Sequence, residues 1–141
     1  MIEREIYENG DLVITRCYGQ LTGAELIDSA HWMIRNFEVR IRPGFSQLFD
    51  AVDADTEQVS EEDIHRVAHI NLHHGRQRGS FSMAILAVKP YPRALARLYK
   101  LLSEPADIRV EIFSDRKEAF RWLGKKDPQQ TAPVNEENSQ A

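Results

Sequence analysis

Two stretches rich in β-branched and aromatic residues, Ile2 to Glu8 and Leu12 to Tyr18, flank Asn9-Gly10-Asp11. An Asn-Gly pair supplies the positive φ values that a tight turn requires, so the two stretches read as an opening antiparallel hairpin. After Gly19 the period changes. Leu26, Ala30, Met33, Ile34 and Phe37 recur at helical spacing, and Thr22 with Glu25 forms a capping box that satisfies orphan backbone donors at the helix start. This first helix runs to about Phe37, and Arg42-Pro43-Gly44 stops the element by turn chemistry.

Phe45 to Val52 reads as the next strand, with Asp53-Ala54-Asp55-Thr56-Glu57 as the loop after it. Ser60 is an N-cap, and Glu61, Glu62 and Asp63 occupy the first helical turn, where the dipole favours negative charge. The second helix extends from about Glu61 to His74, with Gly75 as its stop. Phe81 to Val88 is nearly all apolar, the composition of a strand covered on both faces at the centre of a sheet. Pro90 and Pro92 open a third helix with the stripe Ala94, Leu95, Leu98, Tyr99 and Leu102, and Arg93, Arg97 and Lys100 lie opposite. Ile108, Val110 and Ile112 alternate with polar residues in a last strand. Asp115 and Glu118 cap a final helix anchored by Ala119, Trp122 and Leu123. The order β-β-α-β-α-β-α-β-α specifies an α/β fold, a small mixed sheet with helices packed on it. From Lys125 to Ala141 almost nothing can be buried, which reads as a disordered tail after a domain of residues 1–124.

A chain of 141 residues supports one core. Its net charge of -4 and its scattered basic residues give no footprint for nucleic acid. Cys17 is the only cysteine, which rules out an internal disulfide and fits a reducing cytoplasm. The N-terminus lacks the layout of a signal peptide, and no apolar run approaches the roughly 20 residues of a membrane-spanning helix.

The chain resembles the STAS domain superfamily, specifically its SpoIIAA-like (STAS/SEC14-like) group of small bacterial proteins. The likeness covers residues 2–124. It rests on Leu12-Val13-Ile14-Thr15-Arg16 leading through Gly19 to Leu21-Thr22-Gly23-Ala24-Glu25-Leu26, on Gln47-Leu48-Phe49-Asp50-Ala51-Val52, on Leu95-Ala96-Arg97-Leu98-Tyr99, and on Ala119-Phe120-Arg121-Trp122-Leu123-Gly124. The resemblance implies a four- or five-stranded mixed sheet with helices mainly on one face, serving as a non-catalytic interaction or ligand-sensing module. In anti-sigma-factor antagonists of that superfamily, a serine at the start of the helix after the third strand is phosphorylated to release a partner. Here the matching region, Asp53 to Asp63, departs from that pattern: its hydroxyls are Thr56 and Ser60, Ser60 is already a cap, and Glu61 and Glu62 would repel a phosphate.

The side chains with chemical potential are few. His65, His69 and His73 recur every four residues, a spacing at which neighbouring imidazoles can share a metal ion. Ile64, Val67, Ala68 and Asn71 point elsewhere, which makes the histidine stripe a solvent-facing, pH-sensitive surface rather than a metal site. Asp50, Asp53, Asp55 and Glu57 gather carboxylates without a partner motif, and Asp50, inside the strand, is placed to bond neighbouring backbone. Cys17 reads as a buried, inert thiol. Ser80 and Ser82 lack a nucleophile elbow, and His73 to Gly79 follows a helix instead of opening one, so it is a poor phosphate loop. Trp32 falls outside the apolar face of its helix and is expected at a self-association or partner surface. No cofactor is implied. The expected function is a non-enzymatic regulatory or protein-interaction module that binds a protein partner or itself as a homodimer, using Trp32, Asp53, Asp55, Thr56 and Ser60. The alternative is a carrier or sensor of a small apolar or lipid-like ligand held between sheet and helices by Tyr91, Leu95, Leu98 and Tyr99.

Overall fold

The structure, a computed structural model, describes residues 1–37, 39–74 and 79–130. Strands β1 (Ile2–Tyr7) and β2 (Leu12–Thr22) are followed by α1 (Gly23–Asn36), β3 (Ser46–Gln58), α2 (Glu61–His73), β4 (Phe81–Leu86), α3 (Pro90–Ser103), β5 (Ile108–Phe113) and α4 (Arg116–Leu123). The five strands lie in sequence order, with β1 antiparallel to β2 and every other pair parallel. The mixed α/β architecture is the one expected. The turn between β1 and β2 is longer than an Asn-Gly pair, however: Glu8, Asn9 and Gly10 all take positive φ in a short 3-10 turn. A Cβ at Gly10 would collide with the Arg40 carbonyl, because the segment after α1 closes over this turn and Arg42 N–H donates to the Gly10 carbonyl at 2.8 Å.

Alternation along the strands sorts the core into two layers. Val13, Cys17 and Leu21 of β2 and Phe81, Met83 and Ile85 of β4 face α1, α2 and α3; Leu12, Ile14, Ala84 and Leu86 face Ala119 and Phe120 of α4. Three helices therefore cover one face and one short helix covers the other. Phe45 stacks on Phe81 with centroids 4.2 Å apart and meets Phe37 at 5.9 Å, fastening the end of α1 to the sheet.

Two sequence expectations are corrected here. Residues Asp53 to Glu57 are not a loop but the second half of β3. They pair with the extension of β2 through Tyr18, Gly19 and Gln20, after a register shift in which β3 carries one extra residue between Asp50 and Asp53. Past this bulge Ala54 and Thr56 point inward and Asp53, Asp55 and Glu57 point to solvent, so a period of two is present but its inward members are too small or too polar to announce it. The apolar segment from Phe81 is indeed covered on both faces, but it is not the middle strand. That position belongs to β3, with β4 between it and β5.

The helix starts follow the sequence. Thr22 and Glu25 cap α1 reciprocally, as do Ser60 and Asp63 at α2, and Asp115 accepts from Lys117 N–H at α4. The expected stop of α2 at Gly75 lies outside the described residues. Beyond Gly124, polar contacts hold the chain against the turn and edge of the hairpin: Lys125 pairs with Glu8 and Asp11, Arg116 with Asp127, and Gln129 Nε2 donates to Glu5 and to the Tyr7 hydroxyl. Asp11 and Glu8 hold the Lys125 ammonium above its ordinary pKa. Residues 131–141, the remainder of the expected tail, lie outside the described residues.

The first turns of α1 and α2 meet at Gly23, where an added Cβ would overlap the Asp63 carboxylate that caps α2 by accepting from Ser60 N–H. Gly23→Ala is expected to lower stability by about 1 kcal/mol, the size of a lost helix cap. Combined with Asp63→Ala it should cost clearly less than the sum, because both changes remove the same contact; urea denaturation of the four-member cycle checks this.

Candidate functional site

Between the sheet and α1, α2 and α3 lies a cavity of about 110 Å³. It exists because facing positions carry small side chains: Ala51 on β3, Ala30 on α1 and Ala96 on α3 all point into the space that larger residues would fill. Its walls are otherwise Phe49, Met33, Met83, Ile85, Leu95 and neighbouring aliphatics. No Asp, Glu, Lys, Arg or His side chain lines it among the described residues.

A few neutral polar groups interrupt this surface. Gln47, at the start of β3, is 3% exposed, and its Nε2 donates to Thr15 Oγ1 at 3.0 Å; Thr15 on β2 is fully buried. Asn71 on α2 donates to the Tyr99 hydroxyl on α3 at 2.6 Å, joining the two helices across the cavity. Ser29 on α1 accepts from Arg4 Nε at 3.3 Å. Thr56, near the far end of β3, is buried and lines the same space.

The sequence-derived candidates distribute unevenly around this geometry. Leu95 and Tyr99 line the cavity. Tyr91 and Leu98 do not: Tyr91 is exposed and bonds the Val59 carbonyl, while Leu98 is half-buried beside the core. The inward stripe of α3 is instead Pro92, Leu95, Ala96 and Tyr99, a helical spacing that starts two residues earlier than the apolar run and includes an alanine. Trp32 is corrected as well. It is half-buried against the core, and the Arg4 guanidinium covers its ring at 4.9 Å, a cation–π contact contributed by β1 that no pattern within the helix could reveal. Burial lowers the Arg4 pKa from its ordinary value.

The remaining candidates do not converge. Asp53 pairs with Arg16 at 3.1 Å, Asp55 accepts from Glu57 N–H, Ser60 serves as the cap of α2, and Thr56 points inward. Asp50 accepts from Val52 N–H, as its place in the strand suggested, and also meets Arg116 at 3.4 Å. His65, His69 and His73 share an exposed face of α2, with the rings of His69 and His73 4.2 Å apart; no cluster of three His, Cys, Asp or Glu side chains placed to hold a metal occurs among the described residues. The basic residues of α3 are partly engaged, Arg93 with the Ala87 carbonyl and Ser114, Lys100 with Glu111. Sequence reasoning missed Gln47, Ser29, Met33 and Met83 as cavity residues. A signal existed for Gln47, a polar residue at a position whose strand neighbours alternate inward, and for Asn71, which shares the inward side of α2 with Ile64, Val67 and Ala68.

Cys17 is fully buried, and burial pushes its thiol up to about 12 from 9.0. The folded state thus resists ionisation between these values, so the stability present below pH 9 should fall as pH rises from about 9 toward 12, by at most about 1.4 kcal/mol per pH unit from this group. Iodoacetamide at pH 8 should leave native Cys17 unmodified and label it fully once urea unfolds the chain, as mass spectrometry can read.

No helix of the described residues is long and apolar enough to cross a membrane. No protein-family model and no curated protein matches the chain. Among solved structures it is similar to an uncharacterised protein of the DUF3478 family from Shewanella loihica PV-4, with 16% identity, a TM-score of 0.58, and coverage of 87% of this chain and 92% of that one. That protein has a SpoIIAA-like fold, and the similarity extends over most of both chains. The chain accordingly has a SpoIIAA-like fold, in agreement with the resemblance that its sequence motifs carry.

Proposed function

We propose that this protein is a non-enzymatic module that holds a small apolar ligand between its sheet and helices α1, α2 and α3. The observation that carries the reading is the cavity itself, which is apolar over most of its wall and lined by a few neutral polar groups. Protein interiors are packed to the density of organic crystals, so a void of this size kept open by three alanines forfeits dispersion contacts that a bound molecule would restore. A regulatory role would follow from the same site, because the helices that roof the cavity also present the outer surface, and occupancy would bias how they pack. The superfamily's phosphorylation switch finds less support: Thr56 faces inward and the Ser60 hydroxyl is engaged with Asp63 N–H.

Ala96→Leu tests whether the space is open, and the bound mass tests whether a ligand fills it. Three added carbons placed into an open void should raise stability, by up to about 2 kcal/mol at the usual ~0.8 kcal/mol per buried methylene. A closed, well-packed site would instead be destabilised by about 1–3 kcal/mol through overpacking. Native mass spectrometry of freshly purified protein should show a retained low-mass adduct on the wild type that is absent from the variant.

A further inference from the structure

We infer that the cavity selects an uncharged, short-chain amphiphile whose hydroxyl group is received by Gln47, an inference that rests on the ligand-binding reading above. Its shape follows from β3. Gln47 and Thr56 both line the cavity and stand nine positions apart on one strand, which at ~3.3 Å per residue spans roughly 25–30 Å. A volume of about 110 Å³ extended along that strand is a slot, suited to a single chain more than to a fused ring system.

The polar end follows from Gln47. Its Nε2 is committed to Thr15, which leaves the Oε1 as the acceptor that the amide can offer to a ligand in the cavity it lines. A neutral hydrogen bond from a ligand hydroxyl to this oxygen contributes about 0.5–1.5 kcal/mol. Thr15, fully buried on the neighbouring strand, fixes the amide so that it need not be ordered again when the ligand enters. Charge is excluded by the same wall. With no ionised side chain lining the cavity among the described residues, a carboxylate or ammonium would arrive stripped of water and uncompensated.

The methionines make the test direct. Met33 and Met83 line the cavity, whereas Met1 is 59% exposed and does not. Protein carrying ¹³C-methyl methionine would be titrated with hexan-1-ol, with the isosteric ether 1-methoxypentane, which has no donor, and with hexanoate at pH 7. Hexan-1-ol should shift the Met33 and Met83 methyl resonances and leave Met1 in place, while hexanoate at the same concentration shifts neither cavity methyl. Gln47→Leu should weaken hexan-1-ol about 3–10-fold, the range of one neutral hydrogen bond, and change the ether less than twofold. Equal effects of Gln47→Leu on alcohol and ether would overturn the role of Gln47, and hexanoate seating as tightly as hexan-1-ol in the wild type would overturn the selection against charge. Either result would leave the cavity reading standing. Failure of both neutral compounds to move Met33 and Met83 would remove that reading and this inference together.

Discussion

The long parallel pairing of β2 with β3 is the constraint from which the rest of the molecule takes its shape. Both strands run well past the six residues of β4 and β5, and the bulge between Asp50 and Asp53 of β3 is followed by a second extra residue between Asp55 and Gln58. The bulge changes which residues face inward, from Phe49 and Ala51 to Ala54 and Thr56. It therefore sets a row of small side chains under three helices whose own spacing is fixed by contacts with one another. Of the small residues that line the cavity, Ala51 and Thr56 come from β3 on either side of that bulge, and Ala30 and Ala96 face them from α1 and α3.

Polar chemistry is divided between the two sides of the sheet by the same geometry. On the three-helix side, the buried polar groups are neutral and few: Gln47 bonds Thr15 and Asn71 bonds Tyr99 within an otherwise apolar interior. On the other side, α4 covers only part of the sheet, and the charged groups Asp50, Arg116, Asp127, Lys125, Glu8 and Asp11 join the chain after Gly124 to the hairpin. Asp50, Asp127 and Lys125 are largely buried there, and each is matched by an opposite charge that offsets its desolvation. The segregation keeps charged side chains of the described residues out of the cavity lining.

Much of this could be read from residues before any coordinates. The caps at Thr22, Ser60 and Asp115 are local hydrogen-bonding patterns, and each helix begins where its cap stands. The inert burial of Cys17 follows from alternation with Val13 in a strand that sits beneath helices. The histidine stripe was assigned to solvent by the apolar residues on the other side of its helix, and it is exposed. What failed was reading by hydrophobicity where the inward residues were small. The half of β3 after Asp53 looked like a loop because alanine and threonine carry little apolar signal, and Ala96 was passed over on α3 for the larger Leu98. Trp32 was misplaced because its cover, Arg4, comes from a strand nearly thirty residues away.

The sequence by itself determined the order and type of the elements, the helix starts, the covered character of the strand from Phe81 and the SpoIIAA-like resemblance, because periodicity and capping are set by neighbours along the chain. Only the tertiary structure decided that β3 is the central strand, that Trp32 is roofed by Arg4, and that Gln47, Asn71, Tyr99 and Thr56 surround one cavity. These depend on the register between strands and on the distance at which helices stop above the sheet, and both are settled by packing among residues far apart in the chain.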